Sequence, residues 1–242
     1  MFGIFRKRVV VTLAAAVVLG GIGFSFWNSA KEVNASIDAY AEQKPKVLLD
    51  AGHGGFDGGA VSGDVMEKDL NLAISKKIAQ QLRERGITVV ESRDEDVDLA
   101  EDSSGGSQKK RDMQNRAKLI AENPDAIFLS IHMNKFSDSR CKGAQVFYGR
   151  KNEESKRLAE LLQTGIVSEL QPENHRLAKQ AESSIYLLKQ ATIPAVIVEC
   201  GFLSNAEDLK NLQSETYQSE LASVIADCIE QFYRTGEGKE SV

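Results

Sequence analysis

The chain has 242 residues, 42% of them hydrophobic, with 30 basic residues against 35 acidic ones and a net charge of −5. This length and apolar content support one domain of ordinary size with some chain left over, or two small ones. An acidic chain with no compensating basic patch argues against nucleic acid as a partner.

The first 27 residues form a class of their own. Arg6, Lys7 and Arg8 precede an uncharged stretch of 19 residues, Val9 to Trp27. A helix crossing ~30 Å of hydrocarbon needs about 20 such residues, and the basic flank sets the N-terminus inside. Small residues downstream, in NSA and ASIDAYA, also suit cleavage of a long secretory signal. Residues 1–27 are therefore read as a signal sequence or signal anchor, and the rest of the chain as exported: extracytoplasmic, membrane-anchored or secreted. Without that segment, 27 basic residues face 35 acidic ones, a balance of −8. Cys141, Cys200 and Cys228 are an odd number for an oxidising compartment, so no complete disulfide framework is implied. Cys200 and Cys228 lie in apolar patterns and read as buried thiols.

Residues 28–45 are a polar linker ending at Pro45. Beyond it, strand-like and helical runs alternate, the order that builds βαβ units. Lys46 to Asp50 reads as a buried strand. Leu70, Ile74, Ile78 and Leu82 recur at helical spacing, so Glu67 to Arg85 is an amphipathic helix stopped by Gly86. Ile87 to Glu91 is a second strand, and Asp94 to Ser107 an acidic and then small-residue loop. Met113, Ala117 and Ile120 mark a helix closed by Asn123-Pro124. AIFLSI, 126–131, is a strand buried on both faces, and GAQVFY, 143–148, lies nearer an edge. A long helix ends before Pro172, Ala195 to Val198 is the last strand, and Tyr217 to Phe232 is a C-terminal helix. The expectation is one three-layer α/β domain over 46–233, a mostly parallel twisted sheet flanked by helices, followed by a polar tail, 234–242.

Three of these strands stop at residues that bind metals or move protons. VLLDAGH ends in His53, FLSIH in His132 and VIVE in Glu199. The carboxyl ends of parallel strands share one rim, where ligand sites form. Two of the chain's three histidines occupy that rim; the third, His175, sits in a polar stretch and reads as a surface residue. Two imidazoles and a carboxylate are a known catalytic zinc set that leaves a position open. Glu67 is the best third ligand, because it begins the helix after the glycine-rich loop. Asp57, Asp64 and Asp69 are rivals, and spacing does not choose among the four. Gly52, Gly54 and Gly55 permit tight or positive-φ turns around His53, and Gly58 and Gly59 keep side chains off the metal face. Glu199 is costly to bury unless paired or used; beside a bound metal it can take a proton from water and deliver it to a leaving amine.

At these residues the sequence resembles the zinc-dependent N-acetylmuramoyl-L-alanine amidases of the type-3 family. DAGHGGFDGGA, EKDLNLAISKKIAQQL, DAIFLSIHMN, KGAQVFYG and IPAVIVECGFLSN follow that family's motifs in order, over about residues 46–233. The resemblance implies one Zn2+ held by His53, Glu67 and His132, with Glu199 as the catalytic base. It implies hydrolysis of the amide joining N-acetylmuramic acid to L-alanine of the peptidoglycan stem peptide. Within the family, the membrane segment, single domain and DVDLAEDSSGGSQKKR loop resemble the germination-specific type of spore formers. That type acts in cortex maturation, where stripped muramic acid becomes the muramic-δ-lactam, which implies a place in the forespore intermembrane space. Asn134 and Lys189 are candidate glycan or peptide contacts, and Arg116 is placed to pair with an acid near the rim. Cys200, next to Glu199, points to the opposite face of its strand and reads as core. An acidic body gains no long-range attraction to an anionic wall, so recognition is local or an activating protein partner assists. The competing readings are a metallopeptidase or deacetylase acting on another wall amide, and a peptidoglycan-binding protein without activity.

Overall fold

The computed structural model describes residues 45–100 and 107–236. The proposed membrane segment, all of the linker except Pro45, and tail residues 237–242 lie outside them. Among the described residues, no helix is long and apolar enough to cross a membrane.

The elements alternate as the sequence pattern requires. Strand β1 (Lys46–Ala51) leads through the glycine-rich loop to a small hairpin, β2 (Val61–Ser62) and β3 (Val65–Met66), and helix α1 (Glu67–Glu84). Gly86, at φ 76°, ends that helix in the left-handed conformation that glycine takes at no steric cost. β4 (Thr88–Glu91) follows, then α2 (Gln108–Glu122), capped where the Ser107 side chain accepts from the Lys110 backbone. β5 (Ile127–Asn134), β6 (Gln145–Tyr148) and α3 (Glu154–Leu170) come next. The chain closes with β7 (Lys179–Gln180), α4 (Tyr186–Gln190), β8 (Ala195–Phe202), α5 (Ala206–Leu212) and α6 (Glu215–Gly236).

Six strands form one sheet in the order β4-β1-β5-β8-β6-β7. All neighbours are parallel except β6, which runs antiparallel to β8. Side chains alternate between faces along each strand, and the two apolar clusters follow that alternation. Val47, Leu49, Leu129, Ile131, Val196 and Val198 pack against α1, α3 and α6. Leu48, Phe128, Ala195 and Ile197 face α2 and α4 on the other side. This is the three-layer arrangement expected, with the sheet between two helical layers.

The structure differs from the sequence reading at several boundaries. β5 continues past His132 to Asn134, and β8 past Glu199 to Phe202, so neither residue ends its strand. A register shift between His132 and Asn134 lets the two strands pair on beyond the reactive residues. α6 runs to Gly236, three residues into the expected tail. The β2-β3 hairpin, β7, α4 and α5 are too short to carry a detectable period.

Candidate active site

His132 and Glu199 are register partners on adjacent parallel strands, so both project on the same face, the one that α2 and α4 cover. His53 reaches them from the loop after β1, and Glu67 from the first turn of α1. One ligand atom each from His53, Glu67 and His132 lies within 4.8 Å of the others. Glu67 Oε1 is 2.9 Å from His132 Nδ1 and 3.3 Å from His53 Nε2, and the two rings meet edge to face with centroids 5.0 Å apart.

Glu67 is 3% exposed and firmly held. Its Oε2 accepts from the Ala60 backbone at 2.8 Å, and its Oε1 from the Met133 backbone at 3.0 Å. Burial alone would raise its pKa, but hydrogen bonds and charge from His132 and His53 outweigh burial and hold it far below the usual carboxylate range. Its place at a helix N-terminus favours the same ionised form. The rivals separate cleanly. Asp64 and Asp69 are exposed, while Asp57 sits on the far side of the His53 ring, its Oδ2 3.0 Å from Nδ1. Asp57 therefore fixes which nitrogen of His53 turns inward, the outer partner that a metal-binding histidine usually has. Burial lowers the pKa of His53, yet Glu67 and Asp57 together raise it overall.

The glycines have more specific tasks than loop flexibility. Gly54 and Gly55 take positive φ, and so does His53 itself, at 61°, a conformation uncommon for a residue with a side chain. Gly52 does not. A Cβ there would lie 2.2 Å from His132 Nε2, so Gly52 makes room for the imidazole. Gly59, at φ 67°, would place a Cβ 2.6 Å from Glu67 Oε2 and 2.8 Å from the His53 ring. Gly58 has only Met66 Sδ nearby, at 3.5 Å.

Glu199 lies beside this cluster with its Oε2 buried and without a hydrogen-bond partner. Burial pushes its pKa up, with Glu67 adding to the rise and the imidazoles opposing it. An unpartnered buried carboxyl oxygen is costly, and such groups collect at functional sites. Cys200, next along β8, belongs to the opposite core face as its strand position predicts.

A cleft of about 330 Å³ opens over the cluster. His53, His132 and Glu199 form its floor, Lys109 and Met113 of α2 one wall, and Ser184, Ile185 and Tyr186 the other. Lys109 reaches Asp57 at 3.1 Å. Asn134, half-buried at the end of β5, and Lys189, exposed on α4, are not among the lining residues; His175 is exposed elsewhere. Arg116 does pair with a rim acid: its guanidinium contacts Asp50, both side chains being almost wholly buried, and its Nε donates to Asp112 at 2.9 Å. Ser92 and Ser130 also donate to Asp50. The second buried arginine, Arg93, was not singled out in the sequence; its only signal is that it follows a strand end, as His53 does.

Known proteins share this fold and much of this sequence. The N-acetylmuramoyl-L-alanine amidase family Amidase_3 matches residues 47–231. The germination-specific N-acetylmuramoyl-L-alanine amidase of Bacillus subtilis is 35% identical over 189 residues, spanning 77% of this chain and 79% of that protein. The CwlD amidase of Clostridioides difficile, solved in complex with the GerS lipoprotein, superposes with a TM-score of 0.76 at 35% identity, over 79% of this chain and 100% of that one. An N-acetylmuramoyl-L-alanine amidase from Clostridium difficile 630 superposes at 0.68 with 31% identity, over 80% and 99% of the two chains. The fold, the ordered motifs and these likenesses together make the chain a member of the N-acetylmuramoyl-L-alanine amidase family, an enzyme that cleaves the amide between N-acetylmuramic acid and L-alanine in peptidoglycan.

Proposed function

We propose that the enzyme works with one zinc ion held by His53, Glu67 and His132, and that Glu199 is its general base and acid. The donor set fits the metal. Two neutral imidazoles and one carboxylate are a known catalytic zinc set, the three ligand atoms converge, and Gly52 and Gly59 keep Cβ atoms out of the room that the His132, His53 and Glu67 side chains occupy. When bound there, zinc supplies Lewis acidity to polarise the scissile carbonyl.

The protein's own groups do the rest. The open face of the cluster sits in the cleft, so a stem-peptide amide can enter between the α2 and α4 walls. Glu199 Oε2, free of partners, takes a proton from the attacking water as the new C–O bond forms at the lactoyl carbonyl. It returns that proton to the alanine nitrogen as the C–N bond breaks, leaving a free lactoyl carboxylate and an L-alanine amine. The partnerless Oε2 beside three convergent ligands is the observation that carries this reading.

The biological setting belongs to the same proposal. The likeness to a germination-specific amidase supports a role in spore cortex maturation or germination, at an exported location such as the forespore intermembrane space. Residues 1–27 provide the export signal or membrane anchor. The lipoprotein complex of a similar amidase, with the acidic charge of this chain, supports an activating protein partner.

The test is the full chain, with and without zinc, acting on purified muropeptides. Newly exposed N-terminal L-alanine, abolished by chelation and by Glu199→Gln, supports the reading. Cleavage inside the peptide, loss of acetyl groups, or wall binding without product overturns it.

A further inference from the structure

At the end of β1, three successive backbone carbonyls all face guanidinium groups. Ala51 O accepts from Arg93 Nε at 2.9 Å and from Arg116 Nη1 at 3.1 Å. Gly52 O accepts from Arg93 Nη2 at 3.1 Å and from Asn71 Nδ2 at 2.9 Å. His53 O accepts from Arg116 Nη2 at 2.7 Å. Arg93 also reaches a second segment: its Nη2 donates to the carbonyl of Lys68, the residue after Glu67, at 2.9 Å.

Both arginines are costly to place here. They are 4% and 3% exposed, and they are close enough for the charge of Arg116 to add to burial in pulling the pKa of Arg93 down. Arg116 has buried acids, Asp50 and Asp112, to offset its charge. Among the described residues Arg93 donates to the backbone carbonyls of Ala51, Gly52, Lys68 and Glu95, while the charges of Asp50, Asp96 and Asp69 oppose the fall in its pKa. A planar fork with several fixed donors can hold carbonyls from two segments at once, whereas an ammonium acts as a single point charge.

We propose that Arg93, with Arg116, is a positioning residue that builds the ligand cluster before metal arrives. The two arginines hold the His53 backbone in its left-handed conformation, and Arg93 ties that loop to the first turn of the helix carrying Glu67. Arg93 is not among the residues lining the cleft, whereas Arg116 reaches its wall, and the link to metal rests on the zinc reading above.

The experiment compares the full-length wild type with Arg93→Lys in two measurements. The first is zinc affinity by competition with a chromogenic chelator. Loss of a supporting partner to a ligand costs ~10–100-fold in affinity, and a drop of that size is expected. The second is amide hydrogen exchange in metal-free protein, which reads the clamp whether or not zinc binds. Gly54 and Gly55, whose amides are bonded to Asp57 O and Asp96 Oδ1, should exchange about tenfold faster in the variant, while Leu129 in β5 keeps its protection. Should the variant fail to fold, the wild type decides alone: these amides must be equally protected with and without zinc. Protection that appears only on zinc addition, or a folded variant matching wild type in both measurements, overturns the proposal. A wild type that binds no zinc refutes the metal reading and leaves the exchange result to judge the clamp.

Discussion

Replacing Gly52 with alanine should disable the site from a cleft position that carries no reactive group. A Cβ there falls 2.2 Å from His132 Nε2 and 2.3 Å from Cε1, where ordinary contact begins at 3.4 Å. The encroachment exceeds an ångström and meets a ring, not the end of a flexible chain. If the ring stays, the overpacking costs about 1–3 kcal/mol of stability. If it swings away, the 2.9 Å contact with Glu67 Oε1 is lost, and a hydrogen bond to a charged group is worth about 1.5–3 kcal/mol. The second route removes one of three ligands, and at ~1.4 kcal/mol per decade zinc affinity should then fall about tenfold or more. Chemical denaturation of metal-free protein, chelator competition and muropeptide hydrolysis read the three effects. Gly63→Ala is the control: its φ is 60°, and nothing lies within 4 Å of the added Cβ. It should cost only ~1–2 kcal/mol of left-handed strain, without change in zinc affinity. A Gly52→Ala protein that binds zinc and cleaves as wild type would refute the packing argument.

Other substitutions probe separate parts of the account. Glu199→Gln should lower turnover by ~10²–10⁴-fold, the usual worth of general acid–base catalysis, with zinc affinity retained. The raised pKa of Glu199 gives the same variant a pH signature in metal-free protein: the folded state holds the proton more tightly than the unfolded one, so wild-type stability drawn from it is complete below the unfolded carboxyl range and is lost as pH rises through the folded value. The variant lacks that loss, so denaturation midpoints should coincide in acid and diverge in its favour toward neutral pH. Asp50→Asn takes from Arg116 one of its two buried acids and leaves it Asp112; breaking a buried pair outright costs about 3–5 kcal/mol, so a loss up to that size is expected, measurable by urea denaturation. The Asp50 pKa also bears on acid stability: burial raises it, but Arg116 and the two serines lower it overall, so its stabilising contribution is present above the unfolded carboxyl range and fades as pH falls through the folded value.

The parts of this fold that follow a period were legible in the sequence. Leu70, Ile74, Ile78 and Leu82 announced α1 because one helix face packs on the sheet, and all four are buried. His53, His132 and Glu199 stood out because each interrupts or ends an apolar run on a parallel strand, and parallel strands share a rim. What stayed illegible depends on three-dimensional approach. Asp57 and Glu67 are both acids in one loop-to-helix segment, and only the hairpin folding that segment back turns one inward and sets the other behind the ring. Gly52 and Gly54 look alike in sequence, yet one answers to a ring 80 residues away and the other to its own φ and to the carbonyl of Val97. Arg93 carries a surface-type residue name and is buried by carbonyls that no pattern advertises. The cleft walls at Lys109 and Tyr186 come from elements without a reactive motif.

The central claim is that His53, Glu67 and His132 bind one zinc ion next to Glu199. Diffraction from zinc-loaded crystals at the metal's absorption edge tests it most directly. The account predicts a single anomalous peak in contact with His53 Nε2, Glu67 Oε1 and His132 Nδ1, with the Glu199 carboxylate facing it. A peak held by other residues, or no peak after full reconstitution, would contradict it.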